Sequence, residues 1–163
     1  MGRFITVSVC LVMLAGCRYY SMTGSTIPAG ITTIAIPLPV DETTNPITDL
    51  DAQLASALVD RFVNQTRLRL DTRIAQADSR LDLRVVSYAD APASIGGNEV
   101  AQTNRITIGV VAQWQSRADE VPLLDRRFSG FAEYDPVDGP TAAIVRITEQ
   151  LADEIFTAAT ANW

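Results

Sequence analysis

Two stretches of the chain carry apolar residues at helical spacing. In the first, the apolar positions recur every four residues, which predicts a helix over about 49–65 with one buried stripe. This stripe consists of Leu50, Leu54, Leu58 and Phe62. Thr48 or Asp49 is expected to cap the helix start. In the second stretch, spacings of three and four predict a helix over about 141–159. Its stripe consists of Ile144, Ile147, Leu151, Ile155 and Ala158.

Other stretches alternate between apolar and polar residues, as half-buried strands do. The clearest spans 105–115, with every second residue from Ile106 to Trp114 on one face. Four further strands are predicted over 31–37, 67–72, 81–88 and 123–134. In the last of them, the three-residue step from Phe128 to Phe131 beside Gly130 predicts a β-bulge that switches the faces.

Residues 89–104 interrupt the strands and contain Pro92, Gly96 and Gly97. Loops of this length inside a compact domain are often functional. We expect residues 89–104 to form a loop that contacts a partner or lipid, or else a hairpin tip without a binding role.

The predicted order of elements is β-α-β-β-β-β-α. The later strands follow one another without helices between them, which favours an antiparallel meander. The two amphipathic helices would then cover one face of the sheet. The predicted fold class is therefore α+β, a two-layer sandwich in which two helices cover an about four-stranded, mainly antiparallel sheet. A single domain over 31–163 would hold all of these elements.

The N-terminus has the features of an export signal. Arg3 precedes an apolar run of about 12 residues, which is too short to span a bilayer. The run ends at Leu14-Ala15-Gly16-Cys17, which resembles a bacterial lipobox. We therefore predict a signal peptide over 1–16, cleavage by signal peptidase II between Gly16 and Cys17, and lipid attachment at Cys17. Residues 17–30 would form a flexible tether.

Composition narrows the range of functions. The 163 residues include no His, and all 13 positive side chains are Arg. The chain therefore offers no His-dependent triad, no His metal ligand and no Schiff-base lysine. Removing residues 1–16 takes away Cys10 and Arg3, which leaves a side-chain charge of 12 − 19 = −7. We expect no enzyme, no cofactor, no metal and no nucleic-acid partner.

The chain resembles the LPS-assembly lipoprotein family LptE, in particular its shorter, Bacteroidetes-like form. The resemblance runs in order along nearly the whole chain after residue 16. It is carried by the phrases Gly16-Cys17-Arg18-Tyr19-Tyr20-Ser21, Ser25-Thr26-Ile27-Pro28, Leu58-Val59-Asp60-Arg61-Phe62, Gly97-Asn98-Glu99-Val100-Ala101, Asn104-Arg105-Ile106-Thr107-Ile108 and Glu154-Ile155-Phe156.

This resemblance implies an outer-membrane lipoprotein that is not an enzyme. Members of the family plug the β-barrel protein LptD, and the pair inserts lipopolysaccharide into the outer leaflet. Arg18 after the lipidated residue favours sorting to the outer membrane, by similarity to enterobacterial lipoproteins. An alternative from another class is an auxiliary lipoprotein of an ABC-type lipid transport system. A hydrolase that uses carboxylates or Ser alone is disfavoured, because the chain has no G-x-S-x-G motif.

Arginines on the predicted strands are the candidate ligand-binding residues. Arg can bind phosphate through two parallel hydrogen bonds, and lipid A carries phosphates. The arginines on the alternating runs are Arg67, Arg69, Arg84, Arg105, Arg126 and Arg127. Of these, Arg105, Arg126 and Arg127 are the candidates, provided that they cluster on the exposed sheet face. The alternative is a solvated face on which strand arginines pair with Asp71, Asp82 and Asp125. Net charge −7 provides no long-range attraction for an anionic lipid, so any binding would have to be local or bridged by divalent ions.

Overall fold

The structure is a computed structural model that describes residues 27–93 and 103–161. The described residues form six strands and two helices. The strands are β1 (Thr33–Ala35), β2 (Val40–Asp41), β3 (Arg69–Leu70), β4 (Ser79–Pro92), β5 (Asn104–Ser116) and β6 (Leu124–Tyr134). The helices are α1 (Leu50–Asn64) and α2 (Thr141–Thr160). The predicted signal peptide, Cys17 and residues 94–102 of the predicted loop lie outside the described residues.

The strands form one mixed sheet in the order β3-β1-β4-β5-β6, and β2 also pairs with β4. The pairings of β1 with β3, β1 with β4 and β2 with β4 are parallel. The pairings of β4 with β5 and β5 with β6 are antiparallel. The expected α+β sandwich is present, but the prediction of a mainly antiparallel sheet of about four strands is wrong. The helical connection α1 lets β3 run parallel to β1, a relation that strand patterns alone do not reveal.

Both helices pack on the same face of the sheet. The predicted stripe of α1 is fully buried, and α2 buries Ile144, Ile147, Leu151 and Ile155. Ala158 is only partly buried, and its neighbour Ala159 is fully buried instead. Between the helices and β5, the ring of Phe62 contacts the rings of Trp114 and Phe156 edge-on, with centroids 5.8 and 5.3 Å away. These rings fill the centre of the core.

The predicted bulge in β6 is absent, and this correction changes which residues face the core. β5 and β6 pair without a register shift from Asn104↔Tyr134 to Trp114↔Leu124. Gly130 occupies the core-facing position, and Phe131 points to the opposite face with 56% of its surface exposed. The register shift lies in β4 instead, between Val85 and Ser87.

The register shift in β4 explains why the alternation of apolar and polar residues predicted a strand over 81–88, which is shorter than β4. Leu81, Leu83 and Val85 face the core before the shift, whereas Tyr88 lies opposite the core residue Ile108 after it. Residues 89–92, predicted to be part of a loop, continue β4, and Asn104 begins β5. Because the extra residue reverses the parity of the strand, a single period-two pattern cannot follow β4 along its length.

Smaller differences concern the ends of elements. The predicted strands 31–37 and 67–72 are reduced to β1 and β3, three and two residues long. Asp49 precedes α1 as predicted, but its φ is 62° and its side chain makes no capping hydrogen bond. Ile27 is buried in the core, although it lies in the segment expected to be a tether.

Candidate functional site

The sheet has one face without helices among the described residues, and we call it the open face. It is formed by the alternate residues of β4, β5 and β6 that point away from α1 and α2. On β5, these residues run from Arg105 to Gln115 at every second position, opposite in direction to the buried residues from Ile106 to Trp114. The open face contains two of the three predicted ligand residues, Arg105 and Arg127.

The Arg127 side chain lies across the open face. It starts on β6 and its Nη2 donates a hydrogen bond to Ser87 Oγ on β4, at 3.1 Å. It passes over Gly109 of β5, where an added Cβ would approach Ser87 Oγ to 2.3 Å and Arg127 Nη2 to 3.3 Å. Gly109 therefore provides the room in which the guanidinium and the hydroxyl meet.

Arg84 lies on the same cross-strand row as Arg127. Val111 of β5 pairs with Arg84 on one side and with Arg127 on the other. Two strand spacings separate the Cα atoms of the arginines, which is about 10 Å. Arg84 Nη1 donates to the carboxylate of Glu42, at 3.2 and 3.4 Å. Two arginine side chains of this length can approach one anion from both sides of Val111.

Arg105 lies apart from this pair. It is paired in register with Glu133, six residues along β6 from Arg127, which corresponds to about 20 Å. Its Nη2 donates to Glu133 Oε1 at 2.6 Å, and its guanidinium lies 5.0 Å from the centroid of the Phe131 ring. Arg105 and Arg127 therefore cannot bind a single phosphate together.

Arg126 lies on the other face of the sheet, because it follows the parity of Leu124 and Phe128. Its guanidinium lies 5.6 Å from the centroid of the Phe128 ring. Both side chains line a groove of about 490 Å³ between β6 and the last turns of α2, together with Thr157, Ala158 and others. The structure thus separates the three predicted ligand residues into three locations.

The three carboxylates suggested as partners of strand arginines are all engaged. Asp82 pairs with Arg80 at 2.6 Å, and Gln113 donates to Asp125 at 3.5 Å. Asp71 pairs with Arg73 at 3.1 Å, and the hydrogen bonds from Arg73 lower the pKa of Asp71. These pairs are exposed and of the kind that contributes little to stability. They leave Arg127 without a carboxylate partner among the described residues.

The sequence pattern does not predict that Arg84 lies beside Arg127. It also gives no reason to select Ser87 or Gly109 as residues of the site. The residue types gave a weak signal, namely a glycine and a serine within strands that consist mostly of larger residues. Their relation depends on the register of three strands and on the shift after Val85. Neither can be read from one sequence.

At the other end of β4, a second polar cluster joins β1 to β4. The Asp78 carboxylate accepts hydrogen bonds from the Thr32 N–H, the Thr32 hydroxyl and the Thr33 N–H, at 2.7–3.0 Å. These bonds lower the pKa of Asp78 to about 2. The cluster stabilises the point where the chain enters the sheet.

Metal-ligating side chains do not converge in the part of the chain that the structure describes. Over residues 27–93 and 103–161, no group of three or more His, Cys, Asp or Glu side chains could hold a metal ion. Within the same residues, neither helix is long and apolar enough to cross a membrane. The chemistry that the open face offers is hydrogen bonding and charge, from guanidinium groups and hydroxyls.

The fold and the open face together define a class of protein: an α+β two-layer sandwich with exposed arginines on the sheet face that no described helix covers. The family model for LptE, lipopolysaccharide-assembly, matches residues 31–159. The chain belongs to the LptE family, as the resemblance predicted, and this membership gives it a role in lipopolysaccharide assembly. No curated protein matches the sequence.

Solved structures share the fold at low sequence identity. A minor lipoprotein from Acinetobacter baumannii is 17% identical, with 83% of this chain and 95% of that chain covered and a TM-score of 0.50. A hypothetical protein from Chlamydia trachomatis is 8% identical, with 82% and 100% covered and a TM-score of 0.55. PelC from Paraburkholderia phytofirmans, solved as a dodecamer, is 12% identical, with 83% and 94% covered and a TM-score of 0.53. At these identities the likeness shows the fold alone.

Proposed function

We propose that the protein is an outer-membrane lipoprotein that acts as plug and scaffold for an LptD-like β-barrel during lipopolysaccharide assembly. After cleavage between Gly16 and Cys17, acyl chains on Cys17 anchor it, and the domain faces the periplasm. Two or three acyl chains, at about 0.8 kcal/mol per buried CH₂, hold a protein firmly on a bilayer. The work is binding and scaffolding, with no covalent step and no cofactor.

The observation that carries this proposal is the LptE family match over residues 31–159. The lipobox directly after a short apolar run supports the anchor. The open face supports a binding role, because an uncovered sheet with exposed arginines and Phe131 leaves a large surface for a partner or lipid.

Within this function, Arg127 is the predicted ligand residue that the geometry favours for a phosphate of lipopolysaccharide. With Arg84 it flanks Val111, and the Ser87 hydroxyl fixes one end of its guanidinium. Charge-assisted bonds from two arginines suit a phosphate that carries more than one oxygen acceptor. Arg105 lies about 20 Å from Arg127 along the sheet, and Arg126 would contribute only at the groove beside Phe128.

Affinity purification of the acylated chain from detergent-extracted membranes tests the partnership. A β-barrel outer-membrane protein is expected to co-purify. The matched control carries Cys17→Ser and has residues 1–16 replaced by the signal peptide of a soluble exported protein, so that the released domain should be found in the soluble periplasmic fraction. Recovery of an inner-membrane ABC-type complex in place of a barrel would favour the alternative function.

Depletion of the protein tests the role in the cell. Newly made lipopolysaccharide should then accumulate before it reaches the cell surface, as followed by pulse labelling and surface accessibility. Normal arrival at the surface, together with the absence of a co-purifying barrel, would contradict the proposal.

A further inference from the structure

The segment 67–74 at one edge of the sheet differs in charge from the rest of the chain. It contains β3, the outermost strand on that side, and carries Arg67, Arg69 and Arg73 against Asp71. Its charge is 3 − 1 = +2, whereas the remainder of residues 17–163 carries −7 − 2 = −9. We call this segment the basic edge. It is a local positive surface on an acidic protein.

The basic edge also exposes apolar side chains between its arginines. Leu70 and Ile74 are 42% and 44% exposed, although most large apolar residues of the described chain are buried. The three arginines are exposed as well. Arg69 forms no ion pair among the described residues. Basic and apolar side chains side by side are the composition of surfaces that lie in a headgroup layer.

The basic edge lies where the chain enters the fold. Arg67 Nη2 donates to the carbonyl oxygen of Ile27 at 3.3 Å, and Arg69 N–H donates to the carbonyl oxygen of Thr32 at 3.0 Å. Ile27 lies ten positions after Cys17, so the chain between them reaches at most about 36 Å. A lipid on Cys17 would therefore be joined to the domain at this edge.

We propose that, before the domain enters a barrel, the basic edge rests on the anionic headgroup surface of the membrane that holds the Cys17 anchor, and so fixes the orientation of the domain. The proposal rests on the proposed lipidation of Cys17 and adds a second contact with the same membrane. The surface charge of anionic lipid attracts residues within a Debye length, about 8 Å, and repels the acidic remainder of the domain. With β3 against the membrane, β6 at the opposite edge of the sheet would face away from it.

The orientation can be measured with single-cysteine labels on the acylated chain, because cleavage and acylation at Cys17 would leave no free thiol. Leu70→Cys places a fluorophore on the basic edge. Val137→Cys is the matched control, since Val137 follows β6 at the opposite edge and is 92% exposed. The chain is incorporated into phosphatidylcholine vesicles that contain a nitroxide quencher at the level of the headgroups. One set of vesicles also contains roughly one-third phosphatidylglycerol, and the other set contains none.

In vesicles with the anionic lipid, we expect strong quenching at position 70 and little at position 137. In phosphatidylcholine alone, the quenching at position 70 should be absent. It should also be lost in about 1 M salt, where the Debye length is about 3 Å. Each unit of positive charge near the surface raises the ratio of surface-bound to free orientations about five-fold. Arg69→Glu changes the charge by two units, so it should lower this ratio about 25-fold. Arg69→Lys should preserve it. Arg105→Glu, the same charge change on the open face, should have no effect.

Equal quenching at both positions, quenching that ignores phosphatidylglycerol, or quenching that survives Arg69→Glu would overturn the proposal. Vesicle flotation separates this result from failure of the anchor. A chain that floats but shows equal quenching keeps the anchor and loses the orientation. A chain that does not float loses both.

Discussion

Gly130 of β6 lies directly beneath Leu151 of α2, without room for a side chain between them. A Cβ at Gly130 would come within 3.2 Å of Leu151 Cγ and 3.0 Å of Ile147 Cγ2. Both helix residues are fully buried and packed on all sides. The close approach of α2 to the sheet therefore depends on a glycine at this position, and the same glycine made the strand look irregular in the sequence.

We expect Gly130→Ala to destabilise the fold by about 1–3 kcal/mol, because the added methyl would push against two fully buried side chains, Ile147 and Leu151. Gly130→Val should lower the free energy of unfolding further than Gly130→Ala, because its side chain is larger. Ser129→Ala is the control, since Ser129 is the neighbouring residue on the open face and is exposed. Urea denaturation followed by circular dichroism measures the difference. An unchanged midpoint for Gly130→Ala would show that α2 can move away from the sheet.

Phe62→Ala should cost about 3–5 kcal/mol in the free energy of unfolding, because it removes the ring between Trp114 and Phe156 and leaves a cavity. Phe131→Ala is a matched control that removes the same ring from the open face. Its cost should stay near 0.5 kcal/mol, since Phe131 is 56% exposed. Equal losses for the two variants would contradict the assignment of Phe131 to the open face.

The Asp78 carboxylate predicts a pH dependence of stability. Its pKa is 3.8 in the reference state and about 2 in the folded protein, because Thr32 and Thr33 donate hydrogen bonds to it. The unfolded chain therefore binds more protons between these values. The stabilisation is complete above about pH 4 and is lost as the pH falls toward 2.

Asp78→Asn tests this dependence. Between pH 4 and 2, the free energy of unfolding of the wild type should fall more steeply than that of the variant. Denaturation curves at several pH values, compared with Asp119→Asn on the nearby loop, measure the two slopes. Parallel slopes for wild type and Asp78→Asn would show that the carboxylate does not keep these bonds in solution.

Arg127→Gln and Arg84→Gln should each weaken binding of lipopolysaccharide by about ten-fold, as expected for loss of a charge-assisted hydrogen bond. Arg105→Gln should change it little, because Arg105 lies about 20 Å from Arg127 along the sheet. Binding of purified chain to immobilised lipopolysaccharide provides the measurement. If Arg105→Gln weakens binding as much as Arg127→Gln, the affected region is the whole face and not the Arg84–Arg127 pair.

Gly109→Ala changes the same site without altering its charge. The new methyl group would displace the Ser87 hydroxyl, so Arg127 should lose its fixed position and lipopolysaccharide binding should fall. Since Ser87 can rotate away, the free energy of unfolding should change by less than about 1 kcal/mol. A loss of stability without a loss of binding would mean that Gly109 serves packing alone.

Periodicity alone determined the helices and the strand most deeply buried in the protein. The four-residue spacing of Leu50, Leu54, Leu58 and Phe62 identified α1, and strict alternation identified β5, because both elements bury one continuous face. The ordered phrases of the sequence also identified the LptE family, which the family model confirms. A helix or strand that packs one continuous face on the core places apolar residues at a regular spacing, and this spacing can be recognised in the sequence.

Tertiary structure decided the features that depend on how elements meet. β1 and β3 are too short to show a period, and their parallel pairing follows from the position of α1. A shift after Val85 exchanges the faces of β4, and a glycine under Leu151 gives β6 the apparent irregularity of a bulge. The location of each arginine depends on register, since one residue of slip moves a side chain to the other face. For that reason the sequence could supply Arg105, Arg126 and Arg127 as candidates, whereas only the assembled sheet could bring Arg84, Ser87 and Arg127 together.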